Sequence, residues 1–283
     1  MLREILLNRG KEQLTWEAAV LWLKSQPEQD ALVKACFYDD PLLAAANRFH
    51  LGTEWLAVQK LIGLAGGKAL DVGSGRGISA YALARDGWET VALEPDPSGV
   101  VGTGAIRKLA VEGDVQIEVI ETWGEELPFE DATFDLVLAR QVLHHARDLP
   151  QLCREIGRVL KPGGKMIATR EHVLSHRHDL DQFLDSHPLH SLYGGENAYL
   201  LDEYLGAIEG AGITLSKVFN PLESDINMYP ETMESMKARA ARKLRLPIAA
   251  LIPDALLSLI GRLMNTPGRA YTFFGYKREL ADE

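Results

Sequence analysis

The sequence has few cysteines, no excess of basic residues and no long uninterrupted apolar run. Its 283 residues include only Cys36 and Cys153, which lack CxxC spacing, so neither a disulfide scaffold nor a cysteine-based metal site is indicated. There are 30 lysines and arginines against 40 aspartates and glutamates, a net charge of −10, which disfavours general binding to nucleic acid. The longest apolar stretch, residues 248–264, contains a proline and two charged residues and falls short of a membrane-spanning helix. The N-terminal residues are too charged for a secretory signal, and the sequence therefore predicts a soluble, cytoplasmic protein.

The central part of the chain alternates short apolar runs with helical stretches. Strands are predicted at residues 69–72, 91–93, 117–120, 136–139 and 166–169, with helices such as 78–86 and 149–160 between them. This alternation predicts a parallel sheet with helices on both faces. Such sheets bind ligands beyond the carboxyl ends of their strands, so we expect the chemistry at those ends.

Helical regions are predicted on either side of this pattern. Near the N-terminus, Trp16, Val20 and Leu23 recur at helical spacing. A second helix is predicted to follow and to end at Gly66-Gly67. After a predicted strand at residues 213–219 the alternation stops, and it resumes only with a last strand at residues 270–278. The predicted domains are an N-terminal helical cap, a core in two segments and a helical insertion: residues 1–65, 66–221 with 268–283, and 222–267.

The predicted insertion combines a basic half with an apolar half. Basic residues precede Pro247, and Leu256, Ile260, Leu263 and Met264 then recur at helical spacing. We expect this segment to be a lid over the substrate. A helix lying on an anionic membrane surface would show the same pattern, so peripheral membrane contact is the alternative.

A glycine-rich loop follows the first predicted strand. Residues 68–77 read KALDVGSGRG, and a helix is predicted to begin at Ile78. Glycines let a ligand approach the backbone closely, and a helix N-terminus offers free N–H donors. The dinucleotide-binding pattern GxGxxG would need glycine in place of Ile78, which disfavours a nicotinamide-dependent oxidoreductase or epimerase. Glu94 ends the second predicted strand and is placed to accept hydrogen bonds from ribose hydroxyls.

Four segments together resemble the motifs of class I S-adenosylmethionine-dependent methyltransferases, in the small-molecule branch often called type 11. They are residues 69–77, 92–96, 127–129 with 134–137, and 158–164. The resemblance implies an α/β fold with a Rossmann-like, doubly wound, mostly parallel sheet and an antiparallel last strand. It also implies S-adenosylmethionine as the cofactor.

The resemblance assigns cofactor contacts to individual residues. Asp71, Gly73 and Gly75 would hold the methionine end, Glu94 would hold the ribose diol, and Pro95 would pack near the adenine.

Two further cofactor contacts are predicted at positions that do not follow the usual motifs of the family. Trp123 stands where the family usually has an acidic residue, and would either stack on the adenine or be a core tryptophan. Arg140, at the end of the fourth predicted strand, would clamp a carboxylate of the cofactor or substrate.

Methyl transfer is an in-line displacement that needs an aligned acceptor and often a base. The fifth predicted strand ends in Thr169-Arg170-Glu171-His172, and Glu171 and His172 are the leading candidates for this base. His145, in the pair with His144 after the fourth strand, is the alternative.

A histidine-rich stretch follows the fifth predicted strand. Its HxH and HxxH spacings invite a metal interpretation, but no HExxH pattern accompanies them, and we predict no metal. We expect a substrate loop for a small polar or sugar-containing molecule. A weaker resemblance to bacterial methyltransferases of cell-surface glycan pathways points to a glycan intermediate. The predicted substrate-binding residues are His187, His190, Tyr193, Glu196 and Asn197.

The sequence thus predicts a methyltransferase that acts on an oxygen or nitrogen of a small molecule or glycan intermediate, with no nucleic-acid partner. A non-catalytic module that binds the same cofactor is the other interpretation.

Overall fold

The computed structural model describes residues 13–245 and 247–279. The predictions for the first twelve and last four residues, including the absence of a secretory signal, lie outside the described residues. Eight strands in the described part form one sheet of order β3-β2-β1-β4-β5-β8-β7, with β6 paired to β5. The strands are β1 (Lys68–Val72), β2 (Glu89–Leu93), β3 (Ile117–Ile120), β4 (Phe134–Arg140), β5 (Leu160–Leu174), β6 (Tyr199–Leu200), β7 (Ile213–Phe219) and β8 (Arg269–Lys277).

Helices of different lengths surround the sheet in the described residues. They are α1 (Trp16–Lys24), α2 (Asp30–Ala35), α3 (Leu42–His50), α4 (Thr53–Ile62), α5 (Ile78–Arg85), α6 (Thr103–Glu112), α7 (Leu149–Val159), α8 (Leu180–Ser186), α9 (His190–Tyr193), α10 (Leu201–Gly210), α11 (Asp225–Met228), α12 (Met233–Leu244) and α13 (Asp254–Leu263). Single 3₁₀ turns lie at Pro27–Gln29, Leu143–His145, Arg177–Asp179 and Ala249–Leu251.

The predicted fold class is confirmed. Strands β1 to β5 are parallel, and β8 runs antiparallel between β5 and β7. Successive side chains of a strand point to opposite faces: Val137 packs towards α7 and α10, whereas Leu136 and Leu138 pack towards α3, α4 and α5. Because both faces are covered, the strands are continuous apolar runs, which is the signal that the sequence carries.

Strand β5 is much longer than the strand predicted at residues 166–169. Its pairing with β8 continues through Glu171 and His172 after an irregularity near Arg170, whose φ is 59°. A bulge of this kind re-aims the side chains around it. Glu171 and His172 therefore lie inside a strand and not beyond its end, contrary to the prediction.

The N-terminal helices follow the predicted pattern with one difference. The Thr15 hydroxyl caps α1 by accepting a hydrogen bond from the backbone N–H of Ala18 (3.2 Å). The helix predicted to continue to Gly66-Gly67 is in fact two helices, α3 and α4. The chain turns between them at Gly52, where a Cβ would lie 2.9 Å from the carbonyl oxygen of Arg48.

Residues 222–267 are mostly helical, but their apolar stripe does not cover the sheet. Helices α12 and α13 pack on each other around Ala241, Ile252 and Leu257. Leu263, in the predicted stripe, is 74% exposed. The division into cap, core and insertion stays a prediction. Among the described residues, no helix has the length and apolar character needed to cross a membrane.

Candidate active site

A cavity of about 760 Å³ opens at the carboxyl ends of β1, β2 and β4, as the topology predicts. Its volume is typical of small-molecule sites. One part of its wall is the glycine loop with the end of β2, formed by Gly73, Ser74, Gly75, Arg76, Glu94 and Pro95. Another part is a group of histidines with one glutamate, formed by His144, His145, His172, His187 and Glu196.

The glycine loop places backbone against the cavity where side chains would block it. Gly73 and Gly75 have φ values of 62° and 53°, which are costly for other residues. A Cβ on Gly73 would lie 2.7 Å from Cγ2 of Val142. Both glycines line the cavity, as predicted for cofactor contacts.

Asp71 lies behind this loop and does not line the cavity. Its side chain is fully buried and Oδ2 accepts a hydrogen bond from the Ser79 hydroxyl (2.8 Å). Burial raises the pKa of Asp71 to about 6, although the Ser79 and Ser74 hydroxyls oppose the shift. Asp71 thus supports the loop and the start of α5, and its contact with the cofactor stays a prediction.

Glu94 lies between the glycine loop and the residues that follow β2. Its carboxylate accepts hydrogen bonds from the backbone N–H groups of Gly75 (2.8 Å) and Asp96 (3.0 Å). The residue is only 4% exposed, and burial raises its pKa to about 7 despite these two donors. Glu94 and Pro95 both line the cavity, where they were predicted to meet the ribose and adenine.

Trp123 and Arg140 also line the cavity, but in unexpected settings. Trp123 is 54% exposed with the Arg147 guanidinium 4.5 Å from its ring centroid, so it is not a core tryptophan. Arg140 donates from Nε and Nη2 to the Glu54 carboxylate (2.7 and 3.1 Å). Two of its donors are therefore occupied by Glu54, and the contact of Arg140 with a carboxylate of the cofactor or substrate stays a prediction.

The cavity is covered by the N-terminal helices and by residues 187–196. Trp16, Phe37 and Tyr38 line it from one side, and α1 packs against Leu189 in the second segment. None of the described residues in 222–267 lines the cavity. Within this segment α11 packs against α4, and the role of residues 222–267 as a lid stays a prediction.

Arg76 fastens the N-terminal part of this cover to the glycine loop. Its guanidinium donates to the carbonyl oxygens of Phe37 (3.0 Å) and Asp39 (3.1 Å), and to the Asp40 carboxylate (2.7 Å). Sequence reasoning missed Arg76, Glu54 and the aromatic cover, because their partners are far apart in the chain and no local pattern marks them.

The candidate bases occupy different environments. Glu171 is fully buried and does not line the cavity. Its carboxylate accepts hydrogen bonds from the backbone N–H groups of Val142 and His144 (3.0 Å each) and contacts the His144 ring (2.7 Å). Burial raises the pKa of Glu171 to about 7. This geometry makes Glu171 a positioning residue for His144 and does not support it as a base.

His172 lines the cavity beside His144. Its Nδ1 lies 2.9 Å from the carbonyl oxygen of Gly268, a contact that requires the proton on Nδ1 and leaves the lone pair on Nε2. Burial lowers the pKa of His172 to about 4, although the hydrogen bond to Gly268 opposes the shift. The ring is therefore neutral near pH 7 and able to accept a proton.

The predicted substrate residues are partly brought together. His187, Tyr193 and Glu196 line the cavity with His145, whereas His190 and Asn197 do not. Tyr193 donates a short hydrogen bond to Oε1 of Glu196. A polar region thus lies on the cavity wall.

The fold and this arrangement define the class of protein. Residues 70–168 match the sequence model of a family described as a methyltransferase domain. This part of the chain is therefore a class I S-adenosylmethionine-dependent methyltransferase domain, as the sequence motifs predicted.

The chain is similar to known proteins within this class. It is 38% identical over 105 residues to a ubiquinone biosynthesis O-methyltransferase of Methylocella silvestris, a match of 37% of this chain and 40% of that protein. It is 32% identical over 120 residues to the protein of the same name from Azorhizobium caulinodans, a match of 42% and 45%. The chain thus spans less than half the length of these curated relatives. The structure of geranyl diphosphate C-methyltransferase from Streptomyces coelicolor shares the fold, with a TM-score of 0.57, 15% identity and coverage of 92% of this chain and 87% of that chain.

Proposed function

We propose that the protein transfers the methyl group of S-adenosylmethionine to a hydroxyl oxygen of a small molecule. One observation carries the proposal: a single cavity joins the glycine loop and Glu94 to a group of histidines. A methyl donor and an acceptor must share one water-poor space for in-line displacement. The two relatives named O-methyltransferases favour oxygen over nitrogen as the acceptor atom.

The cofactor would lie along the glycine loop. Gly73 and Gly75 leave room for its methionine end, and the Glu94 carboxylate accepts hydrogen bonds from the ribose hydroxyls. Pro95 and Trp123 would contact the adenine, because both line the same cavity. Trp16 packs close to the glycine loop, since its ring lies 3.5 Å from the position of a Cβ on Gly75.

The acceptor would lie against the histidines, with His172 as the base. Nε2 of His172 would accept the hydroxyl proton of the acceptor, and bound S-adenosylmethionine would supply the methyl group and become S-adenosylhomocysteine. The hydrogen bond from Nδ1 to Gly268 orients the ring for this role. The cover of Trp16, Phe37, Tyr38 and residues 187–196 would reduce the access of water to this space.

The aromatic composition of the cover favours an aromatic acceptor over a sugar. Trp16, Phe37 and Tyr38 line the cavity, and aromatic side chains suit a planar acceptor. The histidine-rich loop predicts a glycan intermediate as the alternative acceptor, and the experiment below tests both classes.

A methyl-transfer screen tests the proposal. The full chain is incubated with methyl-labelled S-adenosylmethionine and a panel of phenols and sugar derivatives, and labelled product is counted. His172→Gln should lower turnover on the best acceptor by about 10²-fold or more while affinity for S-adenosylhomocysteine stays constant. His176→Gln, on the exposed surface, is the matched control. A full-rate His172→Gln variant would remove the base role, and absence of transfer to any acceptor would favour a non-catalytic cofactor-binding module.

A further inference from the structure

The histidines of the cavity surround one carboxylate, that of Glu196. Nε2 of His144 and Nε2 of His145 lie 3.8 and 3.9 Å from its Oε2. Nδ1 of His187 lies 3.7 Å from its Oε1. These separations are too long for hydrogen bonds. Among the described residues, Glu196 receives a hydrogen bond only from Tyr193, although its side chain is just 6% exposed.

The separations are slightly longer than those of donors that share a metal ion. Metal–ligand distances of about 2.0–2.2 Å place two donors about 3.0 Å apart at a right angle and about 3.4 Å apart in a tetrahedron. The two nitrogen–oxygen distances of 3.8 and 3.9 Å would have to shorten by about 0.4–0.5 Å to reach the tetrahedral spacing. The donor atoms of these three residues lie within 4.8 Å of one another.

The second ring nitrogens of His144 and His145, the Nδ1 atoms, already contact oxygen atoms of the protein. Nδ1 of His144 contacts Oε2 of Glu171 (2.7 Å), and Nδ1 of His145 lies 2.8 Å from the carbonyl oxygen of Gly195. Metal-binding histidines almost always direct their second nitrogen to a carboxylate or a backbone carbonyl, which fixes the ring orientation. Glu171 is itself fixed by two backbone N–H groups. This arrangement gives the buried Glu171 carboxylate a purpose that a catalytic base role does not.

We propose that His144, His145 and Glu196 bind one divalent transition-metal ion at the wall of the cavity. Two imidazoles and one carboxylate suit zinc or iron(II), whereas magnesium and calcium prefer oxygen ligands. The ion would keep open positions towards the cavity, because all three residues line it. A ligand with an anionic oxygen, such as a phenolate or a carboxylate, fits those positions. The sequence-based prediction of no metal is revised on this geometry.

Zinc binding to the metal-stripped full chain tests the site. Calorimetry with zinc alone should show one ion per chain, and cobalt(II) should give the visible absorption of an ordered nitrogen and oxygen site. Glu196→Gln and His145→Gln should each weaken zinc binding at least tenfold, and Glu171→Gln by about 10- to 100-fold through loss of ring orientation. His145 is 37% exposed in its side chain, so this variant should fold even if the buried ones do not.

The exposed pair His176 and His178 supplies the control. Their rings stack 5.1 Å apart, and such a surface pair binds metals adventitiously. His178→Ala should leave the stoichiometric binding intact. No zinc binding, or binding lost in His178→Ala and retained in both His145→Gln and Glu196→Gln, would overturn the proposal.

Calorimetry with S-adenosylhomocysteine on the same samples keeps this test separate from the proposed function. Cofactor binding without zinc binding would refute only the metal site. Zinc binding without cofactor binding would refute only the proposed function.

Discussion

Replacing Glu94 by glutamine removes one charge from the proposed ribose contact and keeps the shape of the side chain. The carboxylate accepts hydrogen bonds from two backbone N–H groups at 2.8 and 3.0 Å, so the amide nitrogen of glutamine must face a donor at one of them. A hydrogen bond to a charged group contributes about 1.5–3 kcal/mol. We therefore expect the dissociation constant for S-adenosylhomocysteine at pH 8 to rise about 10- to 100-fold.

The affinity of the wild-type protein for the cofactor should depend on pH through the ionisation of Glu94. Because burial raises the pKa of Glu94 to about 7 from its ordinary 4.5, the free protein carries a protonated Glu94 below pH 7. Ribose hydroxyls donate to the ionised form, so wild-type affinity should fall about tenfold for each pH unit below 7. Stability of the free protein changes in the opposite sense. The folded state holds the proton more tightly than the unfolded state, so this contribution is complete below pH 4.5 and is lost as the pH rises through 7.

Titration calorimetry and thermal unfolding between pH 5.5 and 8.5, on the order of one pH unit per step, measure both effects. In Glu94→Gln, both the cofactor affinity and the unfolding temperature should depend less on pH near 7 than they do in the wild type. Glu89→Gln is the matched control, since Glu89 begins the same strand with its side chain 73% exposed. Equal dissociation constants for wild type and Glu94→Gln at pH 8 would refute the assignment of the ribose to Glu94.

Two further predictions concern the walls of the site. Gly73→Ala should abolish detectable cofactor binding and lower the free energy of unfolding by about 1–2 kcal/mol, because its φ of 62° is strained for alanine and the new Cβ would lie 2.7 Å from Val142. Calorimetry measures the binding and thermal unfolding measures the stability. Gly99→Ala, where a Cβ has open space, should change neither. Glu54→Gln should lower the free energy of unfolding by about 3–5 kcal/mol, because Arg140, 11% exposed in its side chain, loses its countercharge; urea denaturation showing less than about 1 kcal/mol would contradict this account of the pair.

The sequence predicts those features that depend on short stretches of chain. Strands β1 to β4 are buried on both faces, so their apolar runs are continuous and easily recognised. The glycine loop is marked by residue type, because positive φ values and close backbone approach favour glycine at positions 73 and 75. Glu94 follows from its place after β2.

Features that depend on contacts between distant segments are not predicted. The extent of β5 depends on its pairing with β8, about a hundred residues later, and this extension buries Glu171. Arg140 is occupied by Glu54, which lies on an N-terminal helix. The histidine-rich residues 187–196 are predicted at the site, but their packing against α1 as a cover over the cavity is not, because it joins segments that are far apart in the chain. The apolar stripe of α13, by contrast, is a strong local pattern that remains largely exposed.

A crystal structure of the full chain with S-adenosylhomocysteine tests the central claim most directly. We expect the ribose hydroxyls on Glu94, the methionine end against the backbone of Gly73 and Gly75, and the sulfur facing the part of the cavity that holds His172. A ligand bound outside this cavity, or one whose sulfur faces away from His172, would contradict the account.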